Sequence, residues 1–147
     1  MKRLLALLLS TLIPTSAAAQ TPAWETDPTE SMVGIHVIPN FGDDPTDYSP
    51  EISEAAVRSA LKSVDWVAGF HQVVIVLSPG TSMEVGGSLD PEHGLSAVYR
   101  DRRAGIHAVT REAPETVNDL QAILLAFIKP GDGWQQVQEF DFFHGGR

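Results

Sequence analysis

Cysteine is absent from all 147 residues. That excludes thiol nucleophiles, thiolate metal sites and dithiol redox chemistry. It also leaves no disulfide, which an exported domain of this size does not need, since it buries enough apolar surface without cross-links. Basic residues are scarce too: ten Lys and Arg stand against 19 Asp and Glu, a formal charge of −9. Nucleic acid and anionic lipid are bound through lysine and arginine, so neither is expected as a partner. No hydrophobic run reaches membrane-spanning length; the longest, Leu4 to Ile13, is about ten residues. There is no GxSxG elbow, no HExxH pair and no glycine-rich phosphate loop ending in GKS or GKT.

What is present begins with "MKRLLALLLSTLIPTSAAAQ". Lys2 and Arg3 precede the apolar run, Pro14 breaks it, and Ala17-Ala18-Ala19 supplies the small residues that signal peptidase accepts. Residues 1–19 therefore read as a secretory signal peptide, cleaved after Ala19, that delivers the chain to a bacterial periplasm or beyond. No membrane segment remains after cleavage, and no cysteine follows the run to take a lipid. The remaining 128 residues carry eight basic and nineteen acidic side chains, a formal charge of −11. Such a field speeds the encounter with a basic protein partner and also keeps the chain soluble.

Residues 20–30, polar and broken by proline, read as a flexible leader. Residues 31–147 read as one domain. Val33, Ile35 and Val37 alternate in a strand stopped by Pro39. "NFGDDPTDYSP" reads as an acidic loop. Its Asp43, Asp44 and Asp47 lack the spacing and the closing glutamate of a calcium loop, so no metal is assigned. Ser49-Pro50-Glu51 is a helix start, with Ser49 as cap and Ile52, Ala56, Ala60, Leu61 and Val64 on the buried face. "HQVVIVLSPG" is a strand buried on both faces. "TSMEVGGSL", "LSAVYR" and "AGIHAVT" follow at short intervals and imply an antiparallel meander. Thr116 with Asp119 forms a capping box that opens a second, strongly apolar helix, ended by Lys129-Pro130-Gly131. "WQQVQEFDFF" reads as a closing strand, and "HGGR" as a frayed end. The fold class is α+β: an antiparallel sheet of five to six strands with two helices packed on it.

"EVGGSLDPEHGLSAVYR" resembles a site more than any other stretch. Yet it joins two strands, whereas a phosphate-binding glycine loop must lead into a helix. Gly86 and Gly87 permit a bulge or bend, and Asp90-Pro91-Glu92-His93-Gly94 is turn chemistry. The stretch reads as a β-hairpin. Five histidines occur, at 36, 71, 93, 107 and 144, none paired on a helix. His36 and His107 lie in strands, and a small hydrolase or metal-dependent enzyme would have to be built on them if those strands were neighbours. Trp24, Trp66 and Trp134 read as core or partner contacts.

From Met83 to Phe142 the order is a glycine-bearing strand, "GLSAVYRD" with its late tyrosine, a third strand, "APETVNDLQAILLAF", a Gly/Asp turn, Trp134 and a closing strand. This pattern resembles the Imm1-type immunity proteins of bacterial polymorphic-toxin systems, over about half of the mature chain. The export signal departs from that group, many of whose members act in the cytoplasm. The resemblance implies a non-catalytic protein that binds and occludes a toxin, with no catalytic residues and no cofactor. The expected function is thus an exported acidic binding protein, an immunity protein or inhibitor in the periplasm, or else an envelope domain that stands alone. The expected contact residues are Asp43, Asp44, Asp47, Glu92 and His93.

Overall fold

A computed structural model describes residues 20–145. The expected signal peptide, and the last two residues of the "HGGR" end, lie outside them. Seven strands form one sheet: β1 (Gly34–Ile38), β2 (Asp47–Ser49), β3 (His71–Ser78), β4 (Thr81–Gly87), β5 (Leu95–Asp101), β6 (Ile106–Thr110) and β7 (Phe140–His144). Their order is β2-β1-β3-β4-β5-β6-β7, with every neighbouring pair antiparallel. The helices are α1 (Pro28–Ser31), α2 (Glu54–Lys62), α3 (Val117–Phe127) and α4 (Trp134–Val137). The architecture is the expected α+β class with one strand more than the upper expectation.

The extra strand is β2, at the sheet edge, inside the stretch expected to be a loop. Ser49 pairs with Ile35 in this strand, so it does not cap a helix. The cap is Ser53, whose hydroxyl accepts from the Ala56 N–H at 3.1 Å and donates to Glu51. α2 is thereby one turn shorter at its start than the expected helix, and its buried residues are Val57 and Leu61. α3 begins where expected: the Thr116 hydroxyl accepts from the Asp119 N–H at 3.1 Å, and the Asp119 carboxylate accepts from the Thr116 N–H at 2.9 Å. "WQQV", expected within the closing strand, is instead the single turn α4. It tucks Trp134 against Tyr99, with ring centroids 4.6 Å apart, and against Phe140.

Period-2 alternation puts Ile35, Val37, Val73, Ile75, Met83, Val85, Leu95, Ala97, Ala108 and Phe140 on one face, where they meet α2, α3 and Trp134 in a continuous core. Each of these side chains larger than alanine, withdrawn from water, stabilises the fold by about 1.5–3 kcal/mol. β3 is buried on both faces, with Val73, Val74, Ile75 and Val76 all sealed. The second cover comes from the expected flexible leader, which is helical and docked. The Gly80 N–H donates to the Glu30 carbonyl at 2.9 Å, Arg102 pairs with Glu30 at 2.7 Å, and Trp24 lies beneath Arg103. No helix among the described residues is long and apolar enough to cross a membrane.

Candidate functional site

The most unusual backbone lies just beyond β1. Asn40 and Phe41 adopt φ of 49° and 58°, two consecutive non-glycine residues in left-handed conformation. Asn tolerates this through its short polar side chain; for Phe it costs roughly 1–2 kcal/mol. Three interactions enforce it. The Phe41 N–H donates to the Phe70 carbonyl at 2.8 Å, the Asn40 N–H donates to His71 Nδ1 at 3.1 Å, and the Asn40 amide donates to the Asp44 carboxylate. A backbone N–H can only donate, so Nδ1 of His71 is bare and its Nε2 carries the proton. That Nε2–H donates to the Ala68 carbonyl at 2.8 Å. The buried His71 is a latch that holds a loop.

The latch pushes an aromatic ring into solvent. Phe41 is 62% exposed. It stacks on Phe70 at 5.5 Å, and His93 stands edge-on to both rings, at 5.7 and 5.9 Å. Such contacts stabilise by about 0.5–1.5 kcal/mol each, comparable with the backbone strain they accompany. The Leu89 N–H donates to the Trp66 carbonyl at 2.7 Å, tying the β4–β5 turn to the segment before β3. Leu89 and Val67, both at this end, are exposed as well. The result is an aromatic and aliphatic tip built from three loops.

Four of the five expected contact residues gather here. Asp43 and Asp44 belong to the loop that carries Phe41; Glu92 and His93 belong to the turn that touches it. Asp47 is apart. It opens β2 opposite Val37 and lines a separate groove of about 390 Å³ against α2, floored by Ile35 and Val37. Phe41 and Phe70 were not among the expected contacts. The one available signal was a phenylalanine in the otherwise polar run "NFGDDPTDYSP".

The hairpin expected from "EVGGSLDPEHG" is present, without a bulge between β4 and β5: Gly87 pairs with Leu95 in unbroken register. The register shift lies in β3, where Leu77 is the extra residue between Val76 and Ser78, which pair with Ser82 and Thr81 of β4. Gly87 matters for closure, because a Cβ there would lie 1.9 Å from the Gly94 carbonyl oxygen. Asp90 accepts from the Glu92 N–H at 3.0 Å, so its carboxylate is committed to the turn.

His36 and His107 share the sheet face opposite α2 and α3, but β3, β4 and β5 separate their strands. Four ladder steps of about 4.8 Å put them roughly 19 Å apart, too far to act on one atom. His36 donates to the Met32 carbonyl at 2.9 Å and stacks on Tyr48. Trp66 and Trp134 are buried in the core. Among the described residues no three His, Asp or Glu side chains gather as a metal-binding group. Away from the tip, burial pushes the Tyr99 phenol up, aided by the charges of Asp101 and Asp132. Hydrogen bonds from Thr116 hold the Asp119 carboxyl below the usual range. Set beside protein-family models, curated proteins and solved structures, the chain matches none of them.

Proposed function

We propose that the protein is an exported binding protein that occludes a basic protein partner, as an immunity protein or inhibitor does, and that it docks this partner on the Phe41–Phe70–His93 tip. The observation that carries the reading is the exposed Phe41, held on strained backbone and stacked on the half-buried Phe70, in the loops that carry Asp43, Asp44 and Glu92. Strained residues persist where the surroundings over-determine them, and they cluster at ligand contacts. Aromatic anchors dominate binding energy at the centre of an interface, whereas rim charges set the encounter rate and the choice of partner. A ring face flanked by carboxylates suits lysine or arginine, which the ring attracts through its quadrupole and the acids through their charge. The likeness of residues 83–142 to the Imm1-type pattern supports the same kind of activity, binding without catalysis.

The test is a pull-down from envelope extract of the native host, with the purified protein as bait, salt elution and mass spectrometry. One stoichiometric basic protein is expected, and Phe41→Ala should weaken its retention about tenfold or more. Capture unaffected by Phe41→Ala would remove the tip from the interface. Absence of any retained protein at low salt would overturn the binding reading itself.

A further inference from the structure

The edges of an open sheet present unpaired backbone N–H and C=O groups, and natural proteins blunt them against pairing with other chains. Here the edges are β2 and β7. β2 is blunted. It is three residues long, it opens on the charged Asp47, and Pro45 and Pro50 flank it. Neither proline can donate to a ladder. β7 has none of these devices. It runs for five residues, "FDFFH", with no proline, no lysine and unbroken register against β6. Its acid, Asp141, is bonded to Arg111 within the chain.

Register shows which groups of β7 are free. The Arg111 N–H donates to the Glu139 carbonyl at 3.0 Å, and the Gly145 N–H donates to the Gly105 carbonyl at 2.8 Å. Bonding alternates along an antiparallel ladder, so Glu139, Asp141, Phe143 and Gly145 turn their backbone groups toward β6. Phe140, Phe142 and His144 turn theirs outward, and among the described residues nothing donates to them or accepts from them. The side chains along this edge are exposed as well. Phe142 is 41% exposed on the helix side, tilted against Trp134, and Phe143 is 48% exposed on the other side, stacked on His107. Val137, at the end of α4 just before the strand, is exposed with them.

We propose that β7 pairs with β7 of a second copy of this chain, antiparallel about a two-fold axis at Phe142, joining the two sheets into one. A two-fold contact of this kind is self-complementary. It sets Phe142 opposite Phe142 of the second copy and Phe140 opposite its His144. Every outward group then finds a partner, in about six interchain hydrogen bonds. Asp141 comes opposite Phe143, so no like charges face each other directly, and the Phe142 pair is an aromatic contact of the kind that stabilises such ladders. Charge selects this edge for a copy. The chain has a formal charge of −9 and repels itself. Beside β7, however, Glu139 and Asp141 are both held by Arg111 at 2.8 Å, whereas the acids of the tip stand uncompensated. A strand pairing with few side chains around it is a small interface, so the dimer is weak, with a dissociation constant of about 100 µM.

The test is sedimentation equilibrium of the purified protein from about 20 to about 500 µM, with amide hydrogen exchange followed by NMR at both ends of that range. A monomer passing into a dimer is expected. The amides of Phe140, Phe142 and His144 should exchange roughly threefold more slowly at the higher concentration, while those of Asp141 and Phe143, already bonded to β6, change little. Phe142→Lys, which sets two ammonium groups against each other at the axis, should weaken association about tenfold or more. A monomer throughout would overturn the proposal. So would a dimer whose Phe140, Phe142 and His144 amides exchange as fast as in the monomer, or undiminished association in Phe142→Lys. The exchange comparison uses the unaltered protein, so it decides the matter even if Phe142→Lys does not fold.

Discussion

Phe41 pits a local cost against a possible use, and substitution separates the two. Phe41→Gly removes a left-handed penalty of about 1–2 kcal/mol and two ring contacts, with Phe70 and His93, worth about 0.5–1.5 kcal/mol each. Penalty and contacts nearly cancel, so the urea midpoint should correspond to a change within about 1 kcal/mol. Capture of the basic partner should nonetheless fall. A large loss of stability would instead make Phe41 a structural residue. The glycines of the β4–β5 hairpin give a second contrast. Gly87 has φ of 105° and would place a Cβ 1.9 Å from backbone, which cannot swing aside; Gly94 has φ of 69° and nothing within 4 Å. Gly94→Ala should cost about 1–2 kcal/mol for its conformation alone. Gly87→Ala should cost clearly more, about 3 kcal/mol or above, because the hairpin must reopen. Equal losses in parallel denaturant titrations would mean that the Gly87–Gly94 approach does not close the turn.

At the level of elements, α3 shows how a local signal becomes stability. Thr116→Ala should cost about 1 kcal/mol by thermal or chemical unfolding, as loss of an N-cap does. The Thr116 hydroxyl and the Thr116 and Glu115 N–H groups hold the Asp119 carboxyl below its ordinary value. A carboxyl lowered on folding stabilises the native state above its unfolded pKa, near 4, and that contribution is lost as pH falls through the folded value. Unfolding midpoints should therefore decline below about pH 4 in the native chain, and Asp119→Asn should flatten part of that decline. This helix was legible in the sequence because its cap, its apolar spacing and its stop all lie within a single stretch. β3 was legible for the same reason. The cap of α2 was not. Ser49 and Ser53 both precede acidic residues, and Pro50 favours the first; what decides is that β1 needs an edge partner, which takes Ser49 into β2. The N-terminal cover was equally hidden, since Glu30 finds Arg102 across 72 positions of sequence. The acidic half of the tip could be read from Asp43, Asp44 and the 90–94 turn. The aromatic half could not, because the exposure of Phe41 depends on His71, 31 positions from the Asn40 N–H that it accepts.

Across the whole molecule the charge is uneven in its pairing as well as in its sum. Arg100, Arg102 and Arg111 lie within 4 Å of carboxylates, and Arg103 lies over Trp24. Asp43, Asp44 and Glu92 have no cation at that distance among the described residues, so the tip carries uncompensated negative charge beside its rings. Unpaired surface charge acts at long range, over a Debye length of about 10 Å at 0.1 M salt. It should govern how fast a basic partner arrives more than how long it stays. Raising salt from about 0.05 to 0.5 M should slow association roughly tenfold while leaving dissociation nearly unchanged. Asp43→Asn with Asp44→Asn should reproduce part of that slowing at low salt and flatten the salt dependence. The same neutralisation at Glu112 and Glu115, which precede α3, should do less. Phe41→Ala should act the other way, on dissociation. Surface plasmon resonance at several salt concentrations separates the two rates. An association rate indifferent to salt, or equally affected by both acidic pairs, would assign the charge to solubility and leave the rings alone to explain recognition.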